Sequence, residues 1–197
     1  GRLMGMDVYG MSKLDHALRA ALVLATVCSL KGDNVGLLAF SGKIDRYIPP
    51  GHGRHHLAMC MDELYNVTPT EDESDYAAAF EFLLSRKLKR SLVVVFSDFV
   101  DIYASQTLIK YLSRLHPGHL PLCVTLRDSD IEDAAAQYPS DIQSVFRKTA
   151  AMSMLDGRNA VFHRLTRRGV SIINTRPEQL SSELIRKYLE LKARLML

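Results

Sequence analysis

The sequence predicts a single three-layer α/β domain spanning residues 1–197, and three observations carry that expectation. Strand-like and helix-like stretches alternate along the chain. The runs Leu92-Val93-Val94-Val95-Phe96 and Leu120 to Leu126 are apolar without interruption, the mark of strands covered on both faces in a parallel sheet. The length of 197 residues, 47% hydrophobic and 24% charged, suits one domain that buries roughly 70% of its unfolded surface.

The elements follow in order. Ser12-Lys13-Leu14-Asp15 has capping-box spacing and opens a helix, with Leu14, Leu18, Ala21, Leu22, Ala25 and Cys28 recurring at helical period and Gly32 as the stop. Val35 to Phe40 and Ile44 to Ile48 read as two strands of a hairpin about Ser41-Gly42-Lys43, and Pro49-Pro50-Gly51-His52-Gly53 breaks the chain. Residues 54–65 form a helix with Leu57, Met61 and Leu64 on one face. Ser74 reads as the N-cap of a helix from Asp75 to about Leu88. After the strand Leu92–Phe96, a helix from about Ile102 to Leu115 turns Leu108, Leu112 and Leu115 inward, and Pro117-Gly118 stops it ahead of the strand Leu120–Leu126. Beyond Asp128 the pattern is helical, interrupted at Pro139, and it restarts at Ser140 towards Arg168 with Gly157 marking a break. Val170 to Ile173 is a short strand, and the closing helix carries Leu180, Leu184, Tyr188, Leu191 and Leu195.

Composition excludes several classes. Abundant Leu, Val, Ile and Phe with a net charge of only +3 exclude disorder, and that charge is too small to argue for nucleic acid. Cys28, Cys60 and Cys123 are odd in number, distant and set in apolar runs, which suits reduced thiols in a cytosolic compartment. The longest apolar run, Ala20 to Leu30, is about half of the roughly 20 residues that a bilayer span requires. No signal-peptide pattern is visible, and a start at Gly1 predicts a cut or processed piece whose membrane attachment, if any, lies outside it.

Ligands of open parallel sheets bind beyond the carboxyl ends of the strands. Asp98 follows the first buried strand and Ser97 precedes it, Ser74 is expected near the same edge, and Asp101, Asp128 and Asp130 also follow strand ends. Hydroxyls with one or two carboxylates are what Mg²⁺ accepts. The same residues serve equally as helix caps and loop anchors, which is their commoner use. His52, His55 and His56, with Arg54 among them, lack a chelating arrangement and read as a solvated loop and helix start. Basic runs at Arg86, Lys87, Lys89 and Arg90 and at Arg164, Arg167 and Arg168 suit helix carboxyl ends. No nucleophile–base pair is visible.

Leu14-Asp15-His16-Ala17-Leu18, Lys31-Gly32-Asp33-Asn34-Val35-Gly36-Leu37-Leu38-Ala39-Phe40, Tyr47-Ile48-Pro49-Pro50-Gly51-His52-Gly53-Arg54, Glu73-Ser74-Asp75-Tyr76, Val93-Val94-Val95-Phe96-Ser97-Asp98-Phe99 and Arg186-Lys187-Tyr188-Leu189-Glu190-Leu191-Lys192-Ala193-Arg194 form an ordered signature over nearly the whole chain. With it the chain resembles the von Willebrand factor A-like carboxyl-terminal domain of the bacterial domain-of-unknown-function family fifty-eight. The resemblance implies an α/β/α sandwich on a mainly parallel sheet with one antiparallel edge strand. It implies a metal-ion-dependent adhesion site in which Ser74 takes the Thr position and Asp98 the Asp position. The first loop of that site aligns with Gly1-Arg2-Leu3-Met4, so at least three of five ligands are absent and the site is degenerate, with no cofactor expected.

The same alignment leaves the first, central strand outside the chain, so the Val35–Phe40 and Leu92–Phe96 strands are expected to stand apart or to pair anew, with strand exchange or self-association as a consequence. The resemblance further implies a membrane-tethered module at the cytoplasmic face of the bacterial inner membrane, partnered by a MoxR-type AAA+ ATPase. The expected function is non-catalytic protein–protein interaction through an edge formed by Ser74, Asp98 and Asp101. The alternatives are an Mg²⁺-dependent adhesion-type domain whose site a partner's carboxylate completes, and a metal-dependent phosphohydrolase or nuclease using Asp98, Asp101 and Asp128.

Overall fold

The computed structural model describes residues 2–8, 10–98 and 102–194. After a 3₁₀ turn at Arg2–Gly5, the elements are β1 (Asp7–Val8), β2 (Met11–Ser12), α1 (Lys13–Leu30), β3 (Val35–Phe40), β4 (Ile44–Gly51), α2 (Arg54–Tyr65), α3 (Tyr76–Ser85) and β5 (Leu92–Phe96). They continue with α4 (Ile102–Leu115), β6 (Leu120–Leu126), α5 (Ser129–Ala136), α6 (Ile142–Arg167), β7 (Ser171–Thr175) and α7 (Pro177–Ala193). The chain is therefore α/β, with seven α-helices, a parallel sheet in the order β5-β6-β7 and antiparallel pairs β1-β2 and β3-β4 among the described residues. It divides into two compact units, one of Gly1–Arg90 with Pro177–Leu197 and one of Ser91–Arg176.

In the first unit, α1 starts where the sequence places it. The Ser12 hydroxyl accepts the Asp15 N–H at 3.0 Å and the Asp15 carboxylate accepts the Ser12 N–H, closing a capping box. The most buried line of α1 runs through Lys13, Ala17, Ala20, Leu24 and Ala25, about one position away from the leucine face read from periodicity, because the second half of this helix, Ala20 to Leu30, is apolar on most sides. The β3–β4 hairpin forms as expected, but β4 does not stop at Ile48. Its register jumps from Leu37↔Ile48 to Val35↔Gly51, so Pro49 and Pro50 sit in a bulge where a missing N–H costs no ladder bond. Gly36 faces that bulge: a Cβ there would lie 3.1 Å from the Ile48 carbonyl oxygen and the Pro50 nitrogen.

Helix α2 occupies residues 54–65 as read, but it buries Cys60 and Leu64 while Met61 stays exposed. The cap of α3 is Asp75, not Ser74: the Asp75 carboxylate accepts the Ala78 N–H at 2.9 Å. This helix ends at Ser85, short of Leu88, and Lys87 takes a left-handed conformation with φ 49°. Arg86 lies over the rings of Phe82 and Tyr47, at 4.1 and 5.2 Å from their centroids. Along α7, Leu180, Leu184, Tyr188 and Leu191 are buried as expected, and Leu195 lies outside the described residues.

A polar cluster ties α7 to the turn after α1. The Tyr188 hydroxyl donates to the Asp33 carboxylate, and Lys192 Nζ donates to its other oxygen at 2.6 Å and to the Lys31 carbonyl at 3.4 Å. Burial alone would raise the Asp33 carboxyl, but these two donors outweigh it and hold Asp33 below its ordinary value. Burial also pushes the neighbouring Cys28 thiol up to about 11, leaving it protonated at neutral pH.

In the second unit β6 is central, paired in parallel with β5 (Val94↔Leu122) and with β7 (Val124↔Ile173). All seven β6 residues are buried. In β5 only Val95 is fully buried, against the expectation of cover on both faces, since β5 is an end strand of this sheet and pairs only with β6. Among the described residues β3 is paired with β4. Leu108, Leu112 and Leu115 of α4 are buried as read. Gly157 does not break α6, which runs unbroken because buried Ala151, Arg158, Val161 and Leu165 hold it on both sides of the glycine. Strand β7 runs to Thr175, two residues past the expected end.

The Asp33 cluster yields a measurable consequence. Asp33→Ala is expected to lower stability to urea by about 1–2 kcal/mol at neutral pH. A depressed carboxyl contributes fully above the unfolded value near ~3.9 and loses that contribution as pH falls through the lower folded value, so the gap between wild type and variant closes in acid. A gap that stays constant down to about pH 2 contradicts this reading.

Candidate functional site

The carboxyl ends of β5, β6 and β7 come together at one edge of the second unit, where open parallel sheets place their ligands. The buried Ser97 extends the β5–β6 ladder by donating its N–H to the Val124 carbonyl at 3.0 Å, and Arg127 does the same from β6 to the Thr175 carbonyl at 2.9 Å. Asp128 then caps α5, its carboxylate facing the Ile131 N–H at 3.4 Å. Arg127 grips Glu132 with two bonds, 2.7 Å from Nε and 3.0 Å from Nη2.

The group that organises this edge is Arg158 of α6, whose residue is only 9% exposed. Its Nη2 is surrounded by three oxygens: Thr125 Oγ1 at 2.9 Å, the Leu126 carbonyl, and Asn174 Oδ1 at 2.7 Å. The Phe162 ring lies 5.6 Å away, and the buried Nε has no hydrogen-bond partner among the described residues. Burial disfavours the guanidinium charge and lowers its pKa, while Asp98, Glu132 and Asp128 act in the opposite sense. Sequence reading missed this residue, although a signal existed. Arg158 interrupts the stripe Ala151, Leu155, Val161, Leu165 at a core position, where a charge requires partners.

The residues singled out from sequence fall in several places. Asp98 is half-buried after β5 and acts electrostatically on Arg158. Ser74 belongs to the first unit, half-buried ahead of α3, where its carbonyl accepts the Tyr76 N–H at 3.1 Å. Asp101 lies outside the described residues. Asp130 is exposed in the first turn of α5.

His52 and His55 are exposed as expected, with a His52 ring nitrogen 3.2 Å from Asn34 Oδ1. His56 is not solvated. Its ring bonds the Val35 carbonyl at 2.6 Å and covers Gly51, where a Cβ would come within 2.6 Å of it. The three cysteines are free, and burial raises the thiols of Cys60 and Cys123, so neither is poised as a nucleophile.

Among the described residues no three His, Cys, Asp or Glu side chains gather at ligand distance, and an ion beside Asp98 would face the fixed charge of Arg158. No helix of the described residues is long and apolar enough to cross a membrane.

The oxygen cage has a direct test. Asn174→Ala removes one of three acceptors and is expected to cost about 1 kcal/mol in urea unfolding, whereas Asn174→Asp, which keeps an acceptor and adds a charge, costs less. Equal losses in the two variants would contradict the role given to Arg158.

No curated protein matches the chain. A family model described as "Protein of unknown function DUF58" matches residues 5–135, a span from the 3₁₀ turn to α5 that takes in both Ser74 and Asp98. With two thirds of its length matched, the chain belongs to that family.

Proposed function

We propose that this chain is a non-catalytic protein-interaction module, a von Willebrand factor A-like α/β/α sandwich with a degenerate metal-ion-dependent adhesion site. It acts as an adaptor for a MoxR-type AAA+ ATPase from a membrane-tethered position at the cytoplasmic face of the bacterial inner membrane. The family resemblance supports the partner and the location, and Asp98 supplies a polar contact for that partner.

The observation that carries the interaction reading is the outer side of α6. Tyr138 just before the helix is 91% exposed, and Ile142 and Phe146 are 79% and 71% exposed; Val145 and Met152 are also exposed. Ile142, Val145 and Phe146 are spaced i, i+3, i+4 and share one side of the helix. Large apolar side chains grouped in this way mark surfaces that partners cover. Arg164 and Arg167 continue the exposed side towards the carboxyl end of the helix, which favours an acidic partner segment there.

The test is capture of a purified MoxR-type ATPase by this chain. Phe146→Asp is expected to weaken capture about 30-fold or more while leaving the unfolding midpoint unchanged, since the side chain is outside the core. A chelator is expected to leave capture intact. Unchanged capture by Phe146→Asp contradicts the α6 surface, and loss of capture in chelator contradicts metal independence in favour of the adhesion-type alternative.

A further inference from the structure

The amino ends of β6 and β7 form the edge of the second unit opposite the strand-end carboxylates, and its charge is of one sign. Segments 113–119 and 163–170 lead into these two parallel strands and contain no Asp or Glu. They carry Arg114, Arg164, Arg167 and Arg168, all exposed and none of them in an ion pair among the described residues. The two segments touch: Gly169 has φ 80°, and a Cβ there would lie 3.0 Å from the His116 ring. The end of α6 is fixed beside it, with the Gly169 N–H donating to the Thr166 carbonyl and the Val170 N–H to the Leu165 carbonyl, both at 3.1 Å.

Helix ends explain only part of this charge. Helices α4 and α6 both finish here, with Arg114, Arg164 and Arg167 in their last turns. Two helix ends present about half a negative charge each, about one in all, against four guanidinium groups. The surplus faces solvent and suits a polyanion. Single-stranded nucleic acid is held by stacking on aromatic rings, and neither segment contains Phe, Tyr or Trp. A lipid surface rewards apolar side chains that enter it, and Leu115, Leu165 and Val170 are all buried. A carboxylate-rich protein segment requires only guanidinium forks.

We propose that this edge is a docking site for an acidic segment of a partner protein, rich in Asp and Glu, held by Arg164, Arg167 and Arg168 with Arg114 beside them. The proposal rests on the protein-interaction reading and supplies the chemistry of a second contact. Phe146 stands 18 residues before Arg164, five helical turns along the same line of α6 and about 27 Å away, so the apolar and the acidic contacts are separable.

The test is fluorescence anisotropy of a labelled short poly-Glu peptide titrated with the 197-residue chain at low salt, beside a short oligo-dT and phosphatidylglycerol vesicles. Arg164→Glu with Arg167→Glu is expected to weaken peptide binding about 10-fold or more. Arg147→Glu with Arg176→Glu makes the same change of net charge at exposed positions elsewhere in the unit, and is expected to weaken it less than about 3-fold. Phe146→Ser is expected to leave peptide binding unchanged, whatever it does to capture of the ATPase. If circular dichroism shows that the double Glu variant is misfolded, Arg164→Gln with Arg167→Gln replaces it, with a loss in the same direction. Absence of peptide binding by wild type overturns the proposal, as do equal losses in the two charge-reversed pairs. Tighter binding of the oligonucleotide or of the vesicles than of the peptide also overturns it.

Discussion

A guanidinium buried at the end of a parallel sheet is the constraint on which the second unit depends. Moving a charge out of water costs several kcal/mol unless the fold returns hydrogen bonds and opposite charge. Here the ends of β6 and β7 return them through Thr125, Leu126 and Asn174, and Asp98 adds charge from the end of β5. One side chain of α6 thus reads the ends of two strands by hydrogen bond and a third by field. These bonds tie α6 to the strand ends, while Ile142 and Phe146 on the same helix stay exposed.

The first unit uses the same device in a more exposed setting. Asp33, in the turn after α1, receives Tyr188 and Lys192 from the closing helix, residues 155 and 159 positions away. Lys31-Gly32-Asp33 and Tyr188 to Lys192, far apart along the chain, therefore meet in space. The contact closes the unit's two chain segments on each other.

Periodicity and punctuation made most elements legible. The Ser12 capping box, the β3–β4 hairpin, helix α2 to the residue, and the strands β5 and β6 follow from local pattern, because their causes are local. The misreadings have local rivals. Asp75 competed with Ser74 for the same cap, Pro49-Pro50 looked like a break because a bulge that hides a missing N–H leaves no sequence mark, and Gly157 looked like a break because helix propensity ignores the core anchor beside it. Asp98 was legible as a strand-end residue, but its counter-charge was not, since Arg158 is far along the chain and its role exists only after α6 folds back on the sheet. Ser74 was expected near the same edge from its place ahead of β5, and it lies in the first unit.

The chemistry of the edge follows from that counter-charge. A carboxylate beside a fixed guanidinium remains a directional acceptor for a partner's donors. The account thus rests on energetic coupling between Arg158 and Asp98. The most direct measurement is a double-mutant cycle in urea using Arg158→Gln, Asp98→Asn and the double variant. A coupling of about 1 kcal/mol or more is the predicted result, and additivity within about 0.5 kcal/mol would contradict the account.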